Sequence, residues 1–369
     1  MTKKQDQVDS NLTVTSQKGV SENILSLLKN TILGTPGKLR YKHTETENTI
    51  KKLSGLRFIQ IKKRTRVLGT AGFIDRNVSI GSTPLKTTYV RYLSVYNPFR
   101  NHKRSRRKKV VIKKRGVLRN EIENIFKEEL ERPFKNSDQK GLFYAYVESD
   151  NSLSRDLCSS FGFKKIRDIN TYLFSRFFPT KQKDVLRIGN KEYEVFRESL
   201  LHFYKEHNFV FTDSIEDFGT CFVLKHGGKK VAGIRAIPVH WKIVEMPGLK
   251  GFLMLKVLPK IPFFNRLFKP DKLKFLAFDC LWFQEKHSDK VQKLMEHACS
   301  ELGFYMGMIW EDADSVTTKS LLTTTKLGLL HKINGVVKAD LMARQINTSF
   351  QDFSTIKDKP AFVSAVDMI

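Results

Sequence analysis

Two stretches of this chain run through the same order of elements, and that recurrence constrains the fold more than any single motif does. GLFYAYVESDNSLSRDLCSSFGF, from residue 141, begins as an apolar run of strand length and turns through polar residues. It then sets Leu153, Leu157 and Phe161 four apart on one helical face before Gly162 stops the helix. YMGMIWEDAD and TTKSLLTTTKLGLL, from residue 305, repeat strand, acidic turn and helix. Strand patterns precede each stretch: LRFIQIKKRTRVLGTAGFIDR and TTYVRYLSVYN in the first half, TCFVLKHG, KVAGIRAIPV and KLKFLAFDCLWFQ in the second. The repeat is one of element order, not of residue identity, and it argues for two related modules rather than one large domain.

Length agrees, since 369 residues exceed one ordinary domain. The expected division is a lead-in over 1–50, a first module over 51–178, a linker over 179–195, a second module over 196–350 and a tail over 351–369. Residues 1 to about 20 are polar and read as disordered. ENILSLLKNTIL then forms a short helix before Gly34-Thr35-Pro36-Gly37. A further helix is expected where Val117, Leu118, Ile122, Ile125, Phe126 and Leu130 share one face. IRDINTYLFSRFF closes the first module as a strand.

Against this framework stands the charge. Lys and Arg total 65 against 38 acids, a formal +27, and residues 100–119, RNHKRSRRKKVVIKKRGVLR, hold eleven of the cations and no carboxylate. Such a field favours polyanionic partners: nucleic acid, anionic lipid, an acidic carrier protein or a phosphorylated cofactor. Cys158, Cys221, Cys280 and Cys299 stand far apart with no CxxC pair and no metal-ligand spacing, so a reducing cytoplasmic setting and no metal are expected. The polar start and the lack of any run of about 20 apolar residues predict neither signal peptide nor membrane span.

Residues 87–176 resemble the core of the GNAT acyltransferases. TTYVRYLSV, a basic loop, RGVLRNEIENIFKEEL, GLFYAYVESDN and SLSRDLCSSFGFKKIRD follow in the family's order, and DNSLSRDLCSSFGF is the most specific piece. Asn151 matches the family's asparagine, Leu157 its helix leucine and Gly162-Phe163 its ending. The resemblance implies a mixed α+β fold of tandem modules, each with a mixed, mostly antiparallel central sheet flanked by helices. It also implies acetyl-CoA or a longer acyl-CoA as donor, bound beside TTYVRYLSV, where Leu93 and Val95 lie, and an amine as acceptor.

The pyrophosphate loop of that family is similar to Lys113-Lys114-Arg115-Gly116-Val117-Leu118, with Lys113 in the first place, Gly116 as its glycine and Leu118 where Gly or Ala is usual. Chemically, a basic loop of free backbone N–H groups opening a helix is an anion site. The tyrosine that protonates the departing thiolate in the family is replaced here by Cys158. A thiol can donate a proton, and a buried structural cysteine is the other reading. Glu148, at the end of its strand, is the nearest candidate base for the amine, while Tyr92 and Tyr96 on TTYVRYLSVYN are available and equally at home as core aromatics. In the second half Asp279 lies within the strand matching the catalytic one, with Glu285 and His287 beyond it. Any of the three could act as a base, and a strand Asp is equally at home as a satisfied core partner.

MPGLKGFLMLKVLPKIPFFNRLFKPDKLKF, residues 246–275, interleaves bulky apolar groups with Lys and Arg, and its prolines exclude one continuous helix. It reads as a lid over a long apolar chain, a patch resting on an anionic membrane surface, or a loop packed over the seam between modules. Three functions remain open at this level. The chain is an N-acyltransferase using acyl-CoA or an acyl carrier protein, a CoA-binding protein on the same fold without turnover, or a nucleic-acid binder. The basic stretch has no interleaved aromatic side chain for base stacking, which weighs against the last.

Overall fold

The computed structural model of the chain describes residues 12–80, 83–95, 128, 141–347 and 356–369. The first half contributes β1 (Leu12–Lys18), α1 (Glu22–Asn30), β2 (Arg40–His43), α2 (Thr46–Lys52), β3 (Leu56–Lys63), β4 (Arg66–Ile80) and β5 (Thr83–Val95). β6 (Gly141–Glu148), α3 (Ser152–Ser160) and β7 (Lys164–Ser175) follow. The second half contributes β8 (Val185–Arg187), α4 (Tyr193–Phe203), β9 (Thr220–His226), β10 (Lys229–Glu245), α5 (Gly248–Phe252), α6 (Phe264–Leu267) and β11 (Leu273–Phe283). It ends with α7 (Val291–Leu302), β12 (Met306–Asp312), α8 (Val316–Thr324), α9 (Leu329–Asn334), β13 (Val337–Ile346) and α10 (Ala365–Met368).

All the strands join one sheet in the order β1-β3-β4-β5-β6-β13-β7-β12-β11-β10-β9-β8, with β2 also paired to β10. The two halves have the same pattern. β3, β4 and β5 are antiparallel neighbours, β5 is parallel to β6, and an antiparallel strand follows. β9, β10 and β11 repeat this, with β11 parallel to β12 and an antiparallel strand beyond. The result is the mixed, mostly antiparallel sheet with flanking helices that the sequence leads one to expect.

The strand that completes each half comes from the other half. β13 lies between β6 and β7, and β7 lies against β12, while β7 and β13 pair with each other at the centre. IRDINTYLFSRFF is a strand as expected, but it closes the second half's ladder rather than the first's. Parting the halves would break the β6–β13, β13–β7 and β7–β12 ladders and expose their backbone donors and acceptors, so the seam is part of the core. One apolar cluster covers one face of the sheet from Phe58 through Tyr144 to Trp241 and Phe275. Two smaller clusters lie elsewhere, one built on α7 with β11 and the other on Phe143, Ala145, Val147 and Phe163.

Local chemistry sets the ends of elements. Asn151 Oδ1 accepts from the Ser154 amide at 3.1 Å and caps α3, and Ser315 Oγ caps α8 from the Thr318 amide at 3.0 Å. TTKSLLTTTKLGLL forms two helices, α8 and α9, because Gly328 takes a φ of 98° between them. Two expectations about the ends of the chain change. Leu12–Lys18, within the stretch read as disordered, pairs along the whole of β3. In the described part of the tail, Ala361 through Val366 are all buried. The helix expected around 117–130 lies outside the described residues apart from residue 128.

Candidate active site

β5 and β6 are paired from Lys86–Tyr89 against Gly141–Tyr144, and past Tyr89 they part. In that fork β4 is the neighbour β5 keeps among the described residues, and the ladder slips: Thr70 faces Ser94, while Gly72 faces Arg91. Tyr92, inside the slip, takes a φ of 55°. Gly72 permits this, because a Cβ there would sit 2.9 Å from the Tyr92 ring and 3.0 Å from Phe58. A bulge of this kind leaves main-chain groups without ladder partners and turns them toward whatever enters the fork.

One side of the fork is filled by the chain's last residues. Asp367 accepts from Arg76 Nη1 and, at 3.1 Å, from Tyr144 Oη. Tyr89 Oη donates to the Asp367 carbonyl at 2.6 Å, Arg91 Nη1 to the Val366 carbonyl at 2.8 Å, and Arg91 Nη2 to Ile369 O. The Tyr89 and Tyr144 rings stack 5.0 Å apart, with Tyr146 edge-on to both. Burial holds the hydroxyls of Tyr89, Tyr144 and Tyr146 above the usual phenol range, so all three keep their protons and act as donors.

The open end is bridged by residues 31–38. Thr31 Oγ1 and Ser94 Oγ are 2.6 Å apart, Thr35 Oγ1 donates to Glu148 Oε2 at 2.6 Å, and Lys38 pairs with Asp150 at 2.6 Å. The chain then forms β2, where Tyr41 stacks on Trp241 at 3.9 Å and His43 on Trp241 at 5.4 Å. Burial, helped by the Arg91 charge, pulls His43 down to about 3, so its ring is neutral. Arg91 in turn lies 4.1 Å from the Tyr92 ring centre. His43 Nε2, Trp241 Nε1 and Tyr92 Oη are buried and have no hydrogen-bond partner among the described residues. Each such atom costs about 1–3 kcal/mol if nothing meets it, so the stacked pair of His43 and Trp241, and separately Tyr92 at the bulge, mark places that a bound molecule or water completes.

The structure brings part of the expected site together here. Glu148, Leu93, Val95 and Asn151 all belong to the fork or to the turn beyond β6, with Leu93 exposed on β5. Cys158 lies on α3 and packs against the cluster of Phe143 and Phe163, and burial lifts its thiol to about 11. Lys113, Lys114, Arg115, Gly116, Val117 and Leu118 lie outside the described residues. Among the described residues no group of His, Cys, Asp and Glu is arranged to hold a metal ion.

Asp279 has the structural role. It forms a two-pronged pair with Arg235, Nε to Oδ1 at 2.8 Å and Nη2 to Oδ2 at 2.6 Å, and both side chains are 1% exposed. Its Oδ2 also accepts from the Ala365 amide at 2.8 Å and faces Ser364 Oγ at 3.3 Å. These contacts occupy the carboxylate and leave it unsuited to a base. Glu285 is exposed beyond β11, and the His287 ring lies 5.1 Å from His226. The second fork, between β11 and β12, has its own slip between Gly233 and Arg235 and its own residue at positive φ, Cys280 at 50°. Residues 361–366 occupy that side, with the Ala361 amide on Asp312 Oδ2 at 2.9 Å.

Arg91, Arg76, Tyr144, His43 and Asp367 carry the first fork's polar network, and sequence reasoning passed over all five. Only the alternation of YVRY on β5 hinted at Arg91. Asp367 stood as a lone acid in AFVSAVDMI without a local cation.

No family model matches the sequence, and no curated protein does. Solved structures do. Saccharomyces cerevisiae N-myristoyltransferase with bound myristoyl-CoA and inhibitors superposes with a TM-score of 0.56 at 10% identity, over 96% of this chain and 86% of that one. The same enzyme with bound myristoyl-CoA gives 0.52 at 11% identity, over 91% and 83%. This chain shares the fold of that enzyme over most of its length. A GCN5-related N-acetyltransferase from Anabaena variabilis is also similar, at a TM-score of 0.46 and 10% identity, over 90% of this chain and 72% of that one. The strand beside which the sequence resemblance leads one to expect the donor, TTYVRYLSV, is part of β5, next to the β5–β6 fork.

Proposed function

We propose that the chain is an N-acyltransferase that moves an acyl group from acyl-CoA, or from an acyl carrier thioester, to an amine. The observation that carries this reading is the β5–β6 fork, where β5 is bulged and Tyr92, at positive φ in the bulge, has a buried hydroxyl without a hydrogen-bond partner among the described residues. A thioester carbonyl lying along Tyr92 and Leu93 would take hydrogen bonds from the bulge amides and from Tyr92 Oη, which burial keeps protonated. The amine attacks that carbonyl carbon, the C–S bond breaks, and the thiol leaves with a proton. Glu148 accepts only Thr35 among the described side chains, which leaves carboxylate lone pairs free to take the proton from the amine. Cys158, raised by burial and packed on α3, is the poorer donor for the leaving thiolate. The similarity to an enzyme solved with myristoyl-CoA supports a CoA thioester as donor.

The test is release of free thiol by the full chain from acyl-CoA thioesters of graded length across a panel of amines, with CoA binding measured alongside. Turnover with any amine supports the proposal. Tight CoA binding without turnover would identify a binding protein instead, and salt-sensitive nucleic-acid binding indifferent to CoA would identify the third reading. Substituting Lys113, Arg115 and Gly116 should abolish CoA binding, and substituting Arg104, Arg106 and Arg107 should not.

A further inference from the structure

Between β10 and β11 the chain presents an apolar surface whose own charged residues are all cations. Residues 246–269 contain Lys250, Lys256, Lys260, Arg266 and Lys269 and no carboxylate. Here Pro259 and Pro262 break the chain into short turns, α5, a π turn over Leu253–Val257, a 3₁₀ turn over Leu258–Lys260, and α6. Met254, Leu267 and Phe268 are buried and tie these turns to the core, and Phe264 packs edge-on against Phe177 at 5.5 Å.

Six other apolar side chains of the segment are exposed. Leu249 is 75% exposed, Phe252 and Phe263 are each 57% exposed, and Leu253, Val257 and Ile261 are exposed as well. Phe178, 66% exposed, joins them from the end of β7 with its ring 6.4 Å from Phe263, and Arg266 lies 5.6 Å over it. Scattered exposed apolar residues are ordinary, but seven on one segment and its neighbour are not. Lys256, Lys260 and Lys269 are exposed and pair with no carboxylate among the described residues.

We propose that this surface docks the protein on an anionic membrane, with Leu249, Phe252 and Phe263 entering the headgroup region and Lys256, Lys260, Arg266 and Lys269 on the lipid phosphates. Two features favour lipid over a folded partner. The turns present bulky side chains without the regular ridge or edge strand that a protein groove recognises. The charge around them is of one sign, which suits a surface of uniform negative charge. The inference stands whether or not the chain is an acyltransferase. It needs no spanning segment, and no described helix is long and apolar enough to cross a bilayer.

Flotation of the full chain with phosphatidylcholine vesicles, with and without phosphatidylserine, tests it. The wild type should float with the anionic vesicles and far less with the neutral ones. Combined Leu249→Ser, Phe252→Ser and Phe263→Ser should lower partitioning by about tenfold or more with folding intact, because these side chains are already in solvent. Combined Lys256→Glu and Lys260→Glu should cost a similar factor, about fivefold per cation near the surface. Any of three results overturns the proposal. One is wild-type flotation by the apolar variant, with loss only on replacing Arg104, Arg106 and Arg107. Another is a dimer, broken by the apolar variant, from a chain that ignores vesicles. The third is capture of an acidic acyl carrier protein by a chain that ignores vesicles.

Discussion

Replacing Asp279 with Ala separates anchoring from chemistry. The change leaves the Arg235 guanidinium buried with no carboxylate and removes the acceptor of the Ala365 amide. Breaking one side of a buried ion pair costs about 3–5 kcal/mol, and an orphaned amide about 1–3 more, with the two overlapping because both act through one carboxylate. A loss of about 3–5 kcal/mol is a large fraction of the roughly 5–15 kcal/mol by which folded chains are stable. Equilibrium urea unfolding followed by the fluorescence of Trp241, Trp282 and Trp310 measures it as a lower midpoint at constant slope. Arg235→Met combined with Asp279→Leu should recover much of the loss, since an apolar pair of similar volume pays no desolvation of charge. The folded fraction of Asp279→Ala should keep thioester turnover. If the variant lies within about 1 kcal/mol of the wild type and turnover is abolished, Asp279 is a chemical group and the anchoring account is wrong.

Gly72→Ala should cut turnover sharply with little change in the unfolding midpoint, because the added methyl must push Tyr92 from the bulge; unchanged kinetics would show that the bulge does not hold the thioester. Glu148→Gln should lower kcat while leaving CoA affinity unaltered, and an unchanged kcat would exclude it as the base. Glu311 on β12 is raised by burial to about 8, so between the unfolded value of about 4.5 and about 8 the folded chain holds a proton that the unfolded chain has released. Stability should therefore fall across that window as pH rises, by at most about 1.4 kcal/mol per pH unit, and Glu311→Gln should remove the fall in urea titrations at successive pH values.

Element order was legible because burial imposes period on sequence: GLFYAYVE and LKFLAFDCLWF, buried along most of their length, read as strands. Strand exchange was not. IRDINTYLFS and KADLMARQI are each apolar enough to complete either half, and swapping their places alters no local pattern, so only packing of the whole sheet decides between them. The bulge was hidden for a related reason. Positive φ usually announces itself as Gly, but here it falls on Tyr92, and the glycine that makes room for it is Gly72 on the adjacent strand. AFVSAVDMI read as a tail because its partners are remote: Asp312 for Ala361, Asp279 for Ala365, Arg76 and Tyr144 for Asp367. Yet an isolated acid amid apolar residues must either reach water or find a buried cation. Asp367 finds Arg76 beside the fork, while the same segment is held at its other end by Asp279 in the second half. The nine residues that looked least structured thus tie the fork's polar network to the opposite half of the sheet.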